Sequence, residues 1–380
     1  MASSSRPAAA VYNAVTAGLV RAAVYDRSSP EGVKVVSRKP PARSSSALLV
    51  RVMACGINPV DSKFVFADKL PKGLQWIAKR VVNGRVAGFD LSGVVEYAPA
   101  GSGFAVGDEV FGAVPPLRGS FAQLVSVPLD QVCLKPASLT HAQAAALVLP
   151  GITVLQALAQ HGFAPGQHVL VVGGSGGVGH LAVQIAKARG AASVAAVCSA
   201  RNADFVRRLG ADQVVDYTRA AAADSPAGAA GVAQALQKIV ASRGGAPFDL
   251  VLDTVSSNDA RDGAWRYEAH LRSATGPSLV ASGPGADPHN YVTIGGSTSG
   301  WVTAGVKRLC GVNLFGKGRE LFWIMFPGCR PNLETLRSMA DEGSVKPAID
   351  ATVQLTDEGV REGFRRLNGR RTQGKVVLLC

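Results

Sequence analysis

The chain is short of acidic residues, of aromatics and of paired cysteines. Its 380 residues hold 27 Asp and Glu against 40 Lys and Arg, a formal net charge of +13, and only 6% aromatics. Lys and Arg are dispersed, with small clusters such as Arg365, Arg366, Arg370 and Arg371 and no basic stripe interleaved with aromatic rings. Nucleic acid is therefore not expected as a partner. A basic surface suits anionic cofactors, acidic lipid surfaces and organellar proteins, so peripheral membrane contact stays open. The six cysteines, Cys55, Cys133, Cys198, Cys310, Cys329 and Cys380, contain no C-x-x-C pair. They offer neither a zinc knuckle nor a disulfide framework, and fit a reducing compartment rather than secretion. No apolar run reaches the roughly 18 to 20 residues of a membrane span. The most lipid-like run, LFWIMF from Leu321 to Phe326, reads as a strand. Met1 to Tyr25 lack acid and carry Arg6 and Arg21 among Ala and Ser. They read equally as an organellar targeting segment and as a disordered tail. The expected location is a mitochondrion or plastid, otherwise the cytoplasm.

What the chain does have is a glycine-rich turn between a strand and a helix. In HVLVVGGSGGVGHLAVQIAKARG, His168 to Gly190, an apolar β-branched run precedes Gly174, Ser175, Gly176, Gly177, Val178 and Gly179, with Gly174, Gly176 and Gly179 at G-x-G-x-x-G spacing. Leu181, Val183, Ile185 and Ala186 then follow helical periodicity. Such glycines permit a sharp turn, a close backbone approach to a pyrophosphate and tight packing of helix on strand. The helix N-terminus supplies free N–H groups and partial positive charge to the phosphates. After the next strand, Ser193 to Cys198, an NAD site would place an acidic residue; this chain has Ser199, Ala200, Arg201 and Asn202. A hydroxyl and a guanidinium suit a 2′-phosphate, which points to NADPH. The bland alternative is that Arg201 solvates a helix start.

The length predicts two domains with sizeable cores. Two strands are expected around a Ser28–Gly32 turn from Arg21 to Val36, and another over Ala47–Ala54. From Val86 to Gly112 apolar strands alternate with Gly-rich turns, as in a small β-barrel, completed by Ser120–Val127 and Val132–Pro136. Ala142 to Gly162 is helical around Pro150. Further strands are expected at Gln213–Tyr217, Phe248–Val255 and Tyr291–Gly296, with a helix plus irregular loop over Ser256–Asn290. A helix is expected over Asn332–Glu342, a return to the barrel over Val345–Leu355, and a last strand over Lys375–Leu379.

These residues carry a resemblance over nearly the whole chain. GINPVD, AGFDLSGVV, VGDEVFG, LPGITVLQAL, VVGGSGGVGHLAVQIAK, LGADQVVDY and GKVVLL resemble the medium-chain dehydrogenase/reductase superfamily, and within it the zinc-independent quinone oxidoreductase-like branch with its chloroplast-envelope and mitochondrial reticulon-interacting members. The resemblance implies an α/β fold: a GroES-like β-barrel domain joined to a Rossmann domain with a doubly wound parallel sheet. The expected limits are an extension over 1–19, a discontinuous substrate domain over 20–148 and 344–380, and a NADPH-binding domain over 149–343. Zinc-dependent relatives carry a Cys ligand where this chain has Asn58, and a His-Glu pair where it has Phe89 and Asp90. The four-cysteine lobe of their structural zinc has no counterpart between Gly112 and Ser120. No metal site is expected, since a catalytic zinc needs three protein ligands.

Without a Lewis acid, the feasible reaction is hydride transfer to a quinone or an α,β-unsaturated carbonyl, whose oxyanion or enolate needs a hydrogen-bond donor and a proton. The family places the Asn of NP-x-D near nicotinamide and substrate, which makes Asn58 the candidate for orienting the acceptor. Lys63 matches a lysine of the plastid relatives and is a candidate oxyanion donor, with a solvated surface lysine as its alternative. Tyr217 resembles the Tyr beside the adenosine phosphate, Gly295 ends a strand that passes the nicotinamide, and Lys375 of GKVVLL reaches the cofactor cleft in relatives or serves as a strand-edge lysine. No catalytic Tyr stands between Phe64 and Lys72, so the proton donor is unassigned. The segment Ser297–Gly316 reads as a cap, a partner surface or plain packing. The alternative function is a reductase-derived accessory or structural subunit of a larger assembly, with or without NADPH; both a homodimer and a larger complex fit.

Overall fold

The computed structural model describes residues 18–26, 28–29, 32–65, 80–218, 226–255, 265–272, 277–282, 290–294, 320–321 and 329–380. The chain divides into two compact units, Met1–Ile152 with Met325–Cys380, and Thr153–Ile324.

In the first unit β1 (Val20–Tyr25) and β2 (Val33–Arg38) pair as an antiparallel hairpin from Val20↔Arg38 to Tyr25↔Val33. The main sheet is built on β3 (Ala47–Ile57), with β4 (Asp90–Tyr97), β5 (Glu109–Ala113), β6 (Leu124–Pro128), β7 (Val132–Leu134), β14 (Ile349–Gln354) and β15 (Lys375–Leu379). Its order is β14-β15-β3-β4-β5-β7, with β6 also on β3. Leu48, Val50, Val52, Leu91, Val95, Val110 and Phe121 join Cys55 and Ile57 in one core, each buried. β3 runs three residues beyond the expected Ala54 because a strand more than 300 residues away supplies its partner: Val376, Val377 and Leu378 pair with Ile57, Gly56 and Cys55.

The second unit holds β8 (His168–Val172), β9 (Ser193–Cys198), β10 (Gln213–Asp216), β11 (Leu250–Asp253), β12 (Tyr291–Thr293) and β13 (Glu320–Leu321). They lie in the order β10-β9-β8-β11-β12-β13, with every pair parallel. Counted along this unit the order is 3-2-1-4-5-6, the doubly wound arrangement that leaves a switch point beside the first strand. Both faces of such a sheet are covered, which is why its strands read as continuous apolar runs. Of the Leu321–Phe326 run, only Leu321 falls within the described strand.

The return to the first unit comes earlier than expected. The helix Arg330–Asp341, assigned by sequence to the nucleotide domain, belongs to the first unit. Its buried face of Leu333, Leu336, Met339 and Ala340 packs on β7 and β5, and Leu336 crowds Gly151. Its amphipathic pattern announces a buried face but not which sheet will cover it. The helix His141–Gln160 contains the unit boundary and Pro150. Among the described residues it is the one helix long and apolar enough to cross a membrane, with mean hydropathy 1.6, and 72% of that stretch is buried inside the protein as in a core helix.

Candidate functional site

In the second unit the chain leaves β8 at Val172 and turns at Gly173, whose φ of 83° lies in the left-handed region that favours glycine. A Cβ there would come within 2.4 Å of the Val255 side chain. The sharp turn therefore belongs to Gly173, one residue before the G-x-G-x-x-G pattern, and was missed because the pattern begins at Gly174; the Gly-Gly pair was its signal. Gly173 and Gly174 both donate to Val197 O, at 2.9 and 3.0 Å, which ties the loop to β9. Gly179 opens the helix Gly179–Ala188, where a Cβ would lie 2.1 Å from Gly173 O. No residue with a side chain fits that contact without moving the backbone.

Gly176 differs from both. A Cβ on it would meet only Gly173 O, at an ordinary 3.4 Å, so internal packing does not demand glycine there. The helix start at Val178 has no side-chain cap. An uncapped helix N-terminus beside a backbone stripped of side chains has free N–H groups and room for an anion, so these residues fit a dinucleotide pyrophosphate. Asn202, buried, donates from Nδ2 to Ser175 Oγ at 2.9 Å and so holds the loop to the turn Ala200–Asn202. Sequence reading passed over Asn202 in favour of its neighbour Arg201, which stands exposed on the same turn after half-buried Ser199. Tyr217 follows β10, donates its N–H to Cys198 O at 3.1 Å and packs half-buried on the core of this unit. Gly295 lies outside the described residues.

In the first unit Asn58 follows β3 and Lys375 opens β15, and the pairing of those strands brings them together. Lys375 Nζ donates to Asn58 Oδ1 at 2.6 Å and to Ile57 O at 2.8 Å, and lies 3.9 Å from Asp90 Oδ2. Asn58 Nδ2 donates to Asp90 Oδ2 at 2.8 Å and to Gly56 O at 3.2 Å, and its backbone N–H donates to Asp61 Oδ2 at 2.6 Å. Asp90 Oδ1 accepts from the N–H of Leu149, the residue before Pro150, at 3.1 Å. Gly56 makes room for this packing, since a Cβ there would lie 2.7 Å from Asp90 Oδ2. Asp61 and Asp90 are 0% exposed, and Asn58 and Lys375 3%. Lys375 is thus neither an edge lysine nor solvated: β15 lies between β14 and β3. Lys63 lies on the short helix Pro59–Val65, and its side chain is outside the described residues.

Two carboxylates and one ammonium share this water-poor space, and fully ionised they would leave an uncompensated negative charge. Burial pushes the Asp90 carboxyl up to about 7, against the opposing pull of Lys375 and the Asn58 amide. Burial also pushes Asp61 well above the usual carboxylate range, and its Oδ1 has no hydrogen-bond partner among the described residues. Lys375 is pushed down by burial, with Asp90 and Asp61 resisting. Burial thus favours the neutral form of both carboxyls, a property that arises from three separate chain segments. Sequence reading noted Asp90 only as a missing zinc ligand; its spacing from Asn58 carried no sign that the two would touch.

One unit holds a parallel sheet in 3-2-1-4-5-6 order with a glycine-rich loop after its first strand, and the other holds a mixed sheet in which β15 pairs with both β14 and β3; these are the two halves of a two-domain nicotinamide-dependent oxidoreductase. Residues 209–378 match the family described as zinc-binding dehydrogenase, and residues 44–137 match the alcohol dehydrogenase GroES-like domain. The chain belongs to the medium-chain dehydrogenase/reductase superfamily, and its homologues are named NAD(P)H oxidoreductases and quinone or alkenal reductases. It is similar to the mitochondrial NAD(P)H oxidoreductase RTN4IP1 of Homo sapiens, 31% identical over 353 residues that cover 87% of this chain and 81% of that protein. It is 36% identical over 194 residues to the chloroplastic NADPH-dependent alkenal/one oxidoreductase of Arabidopsis thaliana, covering 47% of each. Among solved structures, the quinone oxidoreductase from Coxiella burnetii matches with a TM-score of 0.69 at 25% identity, covering 95% of this chain and 99% of that one.

Proposed function

We propose that this protein is a zinc-independent, NADPH-dependent reductase of a quinone or an α,β-unsaturated carbonyl, acting in a mitochondrion or plastid. The observation that carries the reading is the buried Asn58–Lys375–Asp90–Asp61 cluster, in which Asn58 and Asp90 stand at positions where zinc-dependent relatives hold ligands. Zinc independence is supported by the donor set: Phe89 has no ligating atom, Asn58 spends its carboxamide on Lys375, Asp90 and Gly56, and no group of three His, Cys, Asp or Glu suited to a metal occurs among the described residues. NADPH, when bound, supplies the hydride. Gly176 and Gly179 admit its pyrophosphate to the helix N-terminus, and Ser175 is held in place for it by Asn202. Ser199 and Arg201 favour a 2′-phosphate over a free hydroxyl. Reduction of a quinone or enone carbonyl builds negative charge on an oxygen; Lys375 offers a cation, and Asp90, pushed up to about 7 by burial, is poised to give a proton near neutral pH without any metal. Because both Asn58 N–H groups are already engaged, its role is to fix Asp90 and Lys375 rather than to grip the acceptor alone. The organellar and NADPH elements are supported by the relatives, one mitochondrial and one an NADPH-dependent chloroplast enzyme.

The test is a fluorescence titration with NADPH and NADH, followed by nicotinamide oxidation with a panel of quinones and enals. Tight NADPH binding with turnover is expected, and Arg201→Ala should weaken NADPH at least about tenfold while leaving NADH nearly unchanged. Equal loss for both cofactors would remove the 2′-phosphate assignment. Tight binding without turnover of any acceptor would replace the reductase reading with an accessory role.

A further inference from the structure

Two cysteines far apart in the chain meet beside the polar cluster. Cys55 lies on β3 opposite Leu378 of β15, and Cys380, just past β15, donates its N–H to Met53 O at 3.3 Å, two residues further along the same antiparallel ladder. Directly opposed residues share a sheet face and so do residues two apart on one strand, so Cys55 and Cys380 are diagonal neighbours on one face. Their sulfurs lie 4.0 Å apart. Both belong to the core of the first unit, Cys55 fully buried within it and Cys380 half-buried against it. We infer that Cys55 and Cys380 form a reversible dithiol–disulfide site, oxidised by hydroperoxides.

The division of labour follows from access. Cys380, the half-buried residue, meets the oxidant: its thiol gives up its proton, the thiolate attacks one peroxide oxygen and becomes a sulfenic acid, and the other oxygen leaves as hydroxide that takes up that proton to form water. Cys55 then attacks the Cys380 sulfur, the S–O bond breaks, and that oxygen leaves as a second water carrying the Cys55 proton. Two thiols and one hydrogen peroxide thus give one disulfide and two waters. Burial pushes the Cys55 thiol up and keeps it from reacting first, while its Sγ, 3.1 Å from Ser120 O, is held in the core. Closing from 4.0 Å to a bond of about 2 Å requires the residue past β15 to swing inward. The other described cysteines, Cys133, Cys198 and Cys329, are all buried.

The experiment treats the reduced, desalted protein with hydrogen peroxide, alkylates the remaining thiols after denaturation, and maps peptides without reductant. The expected product is a peptide pair joining Cys55 to Cys380, lighter than the two free peptides by two hydrogens, lost on treatment with dithiothreitol and absent from Cys380→Ser. Cys133, Cys198 and Cys329 should be recovered alkylated. Recovery of Cys380 as sulfinic or sulfonic acid with Cys55 alkylated would overturn the inference, and so would a Cys380 disulfide to a second copy of the chain.

Discussion

Asp90 should make the protein lose stability as the pH rises toward neutrality. In the unfolded chain an Asp titrates near 3.8; in the folded protein burial raises this one to about 7. Below about pH 4 both forms are protonated and the group costs nothing. Between about pH 4 and pH 7 the folded state keeps a proton that the unfolded state has released, so stability falls with a limiting slope of about 1.4 kcal/mol per pH unit. A shift of about three units totals about 4 kcal/mol, of which about 2 to 3 kcal/mol falls between about pH 5 and pH 8. Asp90→Asn removes the titration while its Oδ1 still accepts the Leu149 N–H; the amide nitrogen it sets against Asn58 Nδ2 imposes a penalty that does not vary with pH. Urea unfolding followed by circular dichroism at several pH values gives wild type minus Asp90→Asn, and that difference should decline across the window and flatten above about pH 7. Subtraction cancels the titrations of groups remote from the cluster, while those of Asp61 and Lys375, which feel Asp90, remain in the difference. A difference flat across the whole range would refute the buried-proton reasoning, and with it the proposed proton source.

Gly176→Ala and Gly179→Ala should separate packing from ligand approach. The first adds a methyl that meets only Gly173 O at 3.4 Å, so its melting curve should match wild type to within about 1 kcal/mol while NADPH affinity drops tenfold or more. The second places a methyl 2.1 Å from a backbone oxygen, so calorimetry should register a clear loss of stability as well as of binding. Lys375→Met leaves Asp61 and Asp90 without their countercharge and strips the donor from Ile57 O and Asn58 Oδ1. Urea titration should show a loss of about 3 to 5 kcal/mol at pH 8, shrinking as acid protonates the carboxylates; a loss that does not change with pH would mean Lys375 contributes packing alone.

Local chemistry made the nucleotide loop legible. The strand before it, the glycines and the helix after it are neighbours in sequence, so spacing alone reports what steric contacts later demand, although the turning residue proved to be Gly173. The strand Lys375–Leu379 was readable for the same reason, as a short apolar run after a glycine. Reading failed where partners were distant. β3 extends through Ile57 because β15 pairs there, and the helix Arg330–Asp341 changes unit because β5 and β7 cover its apolar face.

The sequence by itself determined the family, the parallel sheet of the second unit and the glycine-rich loop after its first strand, because each rests on patterns spanning a few tens of residues. Only the tertiary structure decided the chemistry of the first unit. Asn58, Asp61, Asp90 and Lys375 sit on segments that meet through strand pairing, and their proton balance depends on exclusion from water. Neither the distance between them nor the local dielectric is written in their spacing along the chain.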